Sequence, residues 1–275
     1  MKLKLLDTFA GIGGFSYASE KLVGGFKTTQ FIEINPFCQK ILNKHWSHVP
    51  IHDDITTFTA KPREFDIITG GFPCQDISVA GLQKGITKET RSGLFYELIR
   101  VIRMVRPKYV VLENVAAILN RGLDIVLREL SEAGYDAEWA VISASSLGAC
   151  HRRSRWWLVA YPNIKQGSRT ESQIQTGRNS TFSSVTSNSN SKGMERRIKS
   201  INTKLQKTRF TWKSNTPYLS PNWKSYVSES VLCRGDDGLR GRMDRLKSLG
   251  NSVVPQVAAI PLQRILDLEK IKINN

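Results

Sequence analysis

Over the first 161 residues, short strand-like runs alternate with helix-like ones, and this alternation leaves the chain few possible folds. "LKLLDTF" reads as a buried strand running into a glycine turn, and "GFSYASEKLVGG" as a helix closed by Gly24 and Gly25. "TTQFIEI" is the next strand, and "PFCQKILNKHW" opens a helix with Pro36 in its first turn. "FDIITGG" is a strand that delivers the chain into a loop around Cys74. The helix "LFYELIRVIRMV" carries Leu94, Leu98, Ile102 and Val105 along one face and arginines on the other. The strand "YVVLENV", the helix "LDIVLRELSEAG" and strands around "EWAVISA" and "RWWLVAY" follow. Strands apolar on both faces and separated by helices predict an α/β fold, with a mostly parallel sheet between two helical layers.

Composition changes after Pro162. Residues 163 to about 230 are rich in Ser, Thr, Asn, Lys and Arg, with "NSTFSSVTSNSNSKG" at the extreme, a composition that also suits a disordered linker. Against a linker, Phe210, Trp212, Tyr218, Trp223 and Tyr226 are interleaved with basic residues, which favours a small irregular lobe facing nucleic acid. Apolar periodicity returns at the end, where Val257, Ile260, Ile265 and Leu268 predict a helix from about Pro255.

The chain has 40 Lys and Arg against 24 Asp and Glu, a formal charge of +16. Cationic side chains displace the counterions condensed on phosphates, so the expected partner is a polyanion, DNA or RNA. Four widely spaced cysteines, Cys38, Cys74, Cys150 and Cys233, form no C-x-x-C pair and argue against a disulfide framework or a zinc site. Asp7 comes too early for a signal-peptide core, and no apolar stretch reaches the length of about 20 residues that spans a bilayer. The expectation is a reduced, cytoplasmic chain with no membrane and no metal.

"DTFAGIGGFS" follows the first strand and opens the first helix, where glycines admit a ligand to the backbone and the helix start offers free N–H groups. The dinucleotide pattern G-x-G-x-x-G would need glycine at Ser16, so a nicotinamide cofactor fits poorly. Glu33, at the end of the second strand, suits a ribose diol, and Asp54 in "HDDIT" is a candidate third contact. A structural turn with two solvated carboxylates is the plainer reading of each feature alone. The ordered set favours a nucleoside-containing cofactor.

A cysteine on a strand is most often a small buried hydrophobe. Cys74 instead follows Pro73 in a loop at the carboxyl end of a strand, the edge at which open α/β sheets bind ligands. "VVLENV" brings Glu113 to the carboxyl end of the next strand, hence to the same edge of a parallel sheet. In "CHRRSRWWLVA", Arg153 and Arg155 alternate and are expected to face one side, able to fix a carboxylate or a phosphate.

With these residues in view, the chain resembles the cytosine-5 DNA methyltransferases of bacteria and phages. The matching motifs, in the family's order, are "DTFAGIGGFS", "FIEINPFC", "DDI", "GGFPCQDIS", "RSGLF", "LENV", "RRSR" and "LGNSVVPQ". They cover most of the chain outside 163–230. The resemblance implies a Rossmann-like S-adenosylmethionine-dependent methyltransferase fold with a small irregular target-recognition lobe. It divides the chain into a catalytic and cofactor-binding domain at 1–161, a target-recognition region at 162–238, and a segment at 239–275 returning to the catalytic domain.

By the same resemblance, Phe9, Gly11, Gly13, Glu33 and Ile34 would hold S-adenosylmethionine, with Asp54 and Ile55 near its adenine and Leu94, Asn251 and Ser252 completing the pocket. Cys74 would be the nucleophile, Glu113 the residue gripping the cytosine edge, and Arg153 and Arg155 its supports. Pro73, Gln75 and Ser78 would line the substrate side of the loop. Two positions depart from the family: His151 stands where glutamine is usual, and Ile34 where tryptophan is common.

The implied reaction is site-specific methylation of carbon 5 of a flipped-out cytosine in double-stranded DNA through a Cys74 adduct at carbon 6. The resemblance points to a monomer and leaves open whether a restriction endonuclease is its functional counterpart, with no stable complex between the two. A tRNA cytosine-5 methyltransferase and a non-catalytic nucleic-acid-binding protein are the other readings. The intact Cys74, Glu113, Arg153 and Arg155 set weighs against the last, since a binder needs none of them.

Overall fold

The computed structural model describes residues 2–73, 93–163 and 242–274. One seven-stranded sheet organises them, in the order β3-β2-β1-β4-β5-β7-β6. Its strands are β1 (Leu3–Thr8), β2 (Phe26–Ile32), β3 (Ile51–His52), β4 (Ile67–Gly70), β5 (Tyr109–Val115), β6 (Tyr135–Ser143) and β7 (Ser154–Pro162). Strands β1 to β5 pair in parallel, whereas β7 is antiparallel to both β5 and β6. The sheet is therefore mostly parallel, as expected. The reversal has a local cause: the 144–153 connection is too short for a crossover helix, so β6 and β7 must form a hairpin.

The helices are α1 (Gly14–Tyr17), α2 (Pro36–His45), α3 (Leu94–Val105), α4 (Ile118–Arg121), α5 (Leu123–Glu132), α6 (Arg242–Asn251) and α7 (Pro255–Asn274). Asn35 caps α2 by accepting from the N–H groups of Phe37 (2.9 Å) and Cys38 (3.3 Å), and Pro36 takes the first turn. The first helix is less regular than its sequence suggests. After Tyr17 it widens into a π-turn over Ala18–Val23 that ends with Gly24 N–H donating to Ser19 O (2.9 Å). Within that turn, Glu20 accepts from Thr28 N–H (2.7 Å) and Trp46 Nε1–H (2.9 Å), tying α1 to β2 and α2.

Alternation along the strands divides the core. Leu6, Ile68, Val110, Leu112 and Trp156 face a layer with Leu98, Ile102 and Val105 of α3 and Val126 and Leu130 of α5. Leu5, Ile67, Tyr109, Val111 and Trp157 share a second layer with Phe15 and Ala18 and with Val257, Ile260 and Ile265 of α7. Each fully buried aliphatic or aromatic side chain contributes about 1.5–3 kcal/mol, so both layers press strongly on the sheet. The second layer matters most for the site, because it clamps α1 and α7 to the same sheet face.

Candidate active site

The chain order reverses between β1 and β4: from β1 it moves to β2 and β3 on one side, and from β4 to β5 on the other. Ligand crevices of open α/β sheets form outside the carboxyl ends of strands at such a point. The segments that leave the sheet at this edge include the glycine turn after β1, Glu33–Asn35 after β2, Gly71–Pro73 after β4, and the end of β5.

The glycine turn is held from below by Asp7. This carboxylate is fully buried and accepts from Ser16 Oγ (2.7 Å), Ser16 N–H (3.2 Å) and Thr69 Oγ1 (2.8 Å). Burial pushes its pKa up to about 7 against these hydrogen bonds, with a smaller upward push from Glu33. Above it, Phe9 adopts a left-handed backbone (φ 51°) and Gly11 N–H donates to Glu33 Oε2 (2.7 Å). The other Glu33 oxygen accepts from Asn35 N–H (2.8 Å). Gly14 cannot carry a side chain, because a Cβ there would stand 2.5 Å from Val253 Cγ2. That contact brings α1 directly against the stretch after α6.

The other expected cofactor residues fall into two groups. Ile34 is 71% exposed beside buried Glu33, and Asp54 is half-buried, its carboxylate held below the usual range by Thr56 N–H (2.9 Å). Ile55 instead sends its side chain into the core and its carbonyl to Arg100 Nη2 (2.6 Å). Leu94 begins α3 and packs at the edge of that core; Asn251 ends α6 and is exposed. A cavity of about 840 Å³ is lined by Gly13, Tyr17, Trp46, Arg153, Ser252 and Val253, among others, but not by Phe9, Glu33, Ile34 or Asp54. The cavity thus takes in Gly13 and Ser252 of the cofactor set and lies to one side of the rest.

At the β5 edge, Glu113 and Arg155 form an ion pair, Arg155 Nε to Glu113 Oε1 3.1 Å. Despite the cation, burial pushes the Glu113 carboxyl up to about 7, with Arg155 and Arg153 opposing. The second Glu113 oxygen faces Gly71, where a Cβ would stand only 3.1 Å away, so glycine lets this carboxyl and the loop after β4 meet. Asn114 fixes the same loop: buried, it donates from Nδ2 to Phe72 O (3.1 Å) and accepts from Val115 N–H (2.8 Å). Pro73 is the last described residue of this loop; Cys74, Gln75 and Ser78 lie outside the described residues, as does 164–238 of the expected recognition region.

The two arginines do not share one strand face. Strand β7 begins at Ser154; Arg153 precedes it with φ 33° and donates to Gly250 O (2.9 Å) and Ser252 O (2.6 Å). Arg155 forms the ion pair with Glu113. Sequence pattern assigns no role to Asp7 and Asn114, though they lie within the motifs "DTFAGIGGFS" and "LENV". Their signal is a polar residue inside an otherwise apolar strand, which must find partners once buried.

Among the described residues no group of three or more His, Cys, Asp or Glu side chains could hold a metal ion, and no helix is long and apolar enough to cross a membrane. The fold resembles that of the Dnmt2 methyltransferase of S. pombe, with a TM-score of 0.50 and 27% identity over 59% of this chain and 52% of that one. The type II methyltransferase M.CviJI of Paramecium bursaria Chlorella virus IL3A is 32% identical over 235 residues, 84% of this chain and 54% of its own. The type II methyltransferase M.HhaI of Haemophilus parahaemolyticus is 31% identical over 166 residues, 58% of this chain and 50% of its own. The chain thus spans about half the length of these relatives. The profile of C-5 cytosine-specific DNA methylases matches residues 3–236, and the chain belongs to that family.

Proposed function

We propose that the chain methylates carbon 5 of cytosine in double-stranded DNA, using S-adenosylmethionine, with Cys74 as the nucleophile. The observation that carries this reading is the Glu113 carboxyl: buried, raised to about 7, paired with Arg155 at 3.1 Å, and turned onto Gly71 of the loop that leads to Cys74. A solvated surface glutamate would have none of these features.

The cofactor residues fit a nucleoside sulfonium. Each Glu33 oxygen uses one lone pair on a backbone N–H, from Gly11 and Asn35, and keeps one for a ribose hydroxyl. Ile34 beside it offers an exposed apolar surface for a purine, although a smaller one than an aromatic ring. Phe9, Gly11, Gly13, Asp54, Leu94, Asn251 and Ser252 complete the proposed set, while Ile55 takes part through the backbone that places Asp54. When bound, the cofactor supplies an electrophilic methyl group on a sulfonium.

Carbon 5 of cytosine is too weak a nucleophile for that methyl group. Addition of the Cys74 thiolate to carbon 6 breaks the ring's aromaticity and makes carbon 5 enamine-like. A protonated Glu113 donates to N3 and neutralises the negative charge that this addition creates. Arg155 holds Glu113 at the base edge. After carbon 5 is methylated, its proton passes to a base such as solvent water, N3 returns its proton to the Glu113 carboxylate, and the Cys74 thiolate departs, which restores the aromatic ring. Carbon 6 is inaccessible in a stacked duplex, so the cytosine must leave the stack at a cost of a few kcal/mol. That cost supports assigning 162–238 to target recognition, with 1–161 and 239–275 forming the catalytic part. Transfer of labelled methyl from S-adenosylmethionine to duplex DNA tests the reading. Label in tRNA and none in DNA would overturn the substrate assignment.

A further inference from the structure

We infer that Arg153 is a positioning residue, a latch that holds the α6–α7 junction against the start of β7 and so sets the cofactor side of the site. This rests on the methyl-transfer reading above and gives Arg153 a different task from Arg155. One guanidinium nitrogen donates to Gly250 O (2.9 Å) and the other to Ser252 O (2.6 Å), the carbonyls on either side of Asn251. Gly250 belongs to the last turn of α6, whose carbonyls lack intrahelical partners and attract a cation. Arg153 thereby satisfies the helix end and spans the residues proposed to touch the cofactor.

Three further observations point the same way. The Arg153 backbone has φ 33°, a conformation costly for a residue with a Cβ and kept only where the surroundings impose it. Past the latch, Val253 packs so closely on Gly14 that no side chain fits between, so a shift of the junction is passed on to the glycine turn. Elsewhere α6 is tied to α2 through Ser248, whose hydroxyl lies 3.5 Å from the Cys38 thiol, a weak contact. A lysine cannot replace the latch, because its single ammonium lacks the rigid fork that reaches both carbonyls at once.

Hydrogen exchange of the full chain without cofactor tests this directly, comparing the wild type with Arg153→Lys and Arg155→Lys. The latch predicts about tenfold faster exchange of amides 249–254 in Arg153→Lys, wild-type exchange in β5, and no change at 249–254 in Arg155→Lys. Titration with S-adenosylhomocysteine should then show about tenfold weaker binding for Arg153→Lys. Arg155→Lys should bind it as the wild type does while transferring methyl more slowly to DNA. Wild-type exchange at 249–254 in Arg153→Lys would overturn the latch, and so would faster exchange with unchanged affinity, or a rise spread over the whole sheet. Should the wild-type protein itself bind no S-adenosylhomocysteine, the methyl-transfer reading fails, and with it the positioning role.

Discussion

Arg155 and Glu113 are diagonal neighbours across the antiparallel β5–β7 pair, with Nε 3.1 Å from Oε1, and yet burial still pushes the carboxyl up to about 7. A guanidinium that close ordinarily lowers a carboxyl's pKa. Here loss of hydration outweighs it, because the group sits at the end of an apolar strand and under Gly71. The arrangement supplies both an orienting partner and a proton near neutral pH, which is what an acid at the N3 edge of cytosine requires.

Glu113→Gln should lower methyl transfer by about a hundredfold or more, the usual contribution of a positioned acid, and leave duplex binding within a few-fold. Transfer rate and filter-binding affinity measured on the same preparation check this. An unchanged rate would remove Glu113 from the reaction.

The pH dependence has a definite sign. A carboxyl raised to about 7 is neutral below that value and ionised above it, so kcat/KM should fall as pH rises through about 7. Replacing Arg155 with Met removes the opposing cation, so that limb should move to higher pH even as the rate drops. A profile of wild type and variant between pH 6 and 9 (on the order of half-unit steps) reads both effects.

Asp7 predicts a second pH effect, on stability. Its pKa rises from 3.8 in the open chain to about 7 on folding, so the neutral acid is the form that the fold favours. Its contribution is fully present below about pH 4, declines as pH rises toward 7, and is flat above. Thermal unfolding of Asp7→Asn should therefore lose part of the decline seen in the wild type across that range. An identical pH profile for the two would show that Asp7 does not titrate there.

Gly14→Ala places a methyl group against Val253 and should cost about 1–3 kcal/mol of stability, while also weakening binding of S-adenosylmethionine. Denaturant unfolding and cofactor titration check both parts. Alanine tolerated without loss of either would mean that the glycine turn and the α6–α7 junction yield easily.

Much of this arrangement can be read from residues alone, and the gaps have physical causes. Runs such as Tyr109–Leu112, apolar on both faces, announce a central strand, and Leu94, Leu98, Ile102 and Val105 announce the buried side of α3. Strand β3 escapes notice because Ile51–His52 is only a pair of residues recruited by β2. Period-2 spacing predicts one face for Arg153 and Arg155, but strand geometry starts only at Ser154 and the preceding φ of 33° turns Arg153 toward Gly250. Glu33 is legible as an acidic residue at the end of β2, whereas its tie to Gly11 N–H depends on two loops meeting in space. The side chain of Ile55 is as apolar as its neighbours in sequence are polar, and packing draws it inward.

The central claim is that Cys74 attacks cytosine in DNA. Tritiated methyl transfer from S-adenosylmethionine into unmodified duplex DNA, with the full chain and with Cys74→Ala, tests it most directly. The account predicts label at carbon 5 of cytosine with the wild type and none with the variant, while both bind the cofactor. Equal label from the two proteins would contradict it.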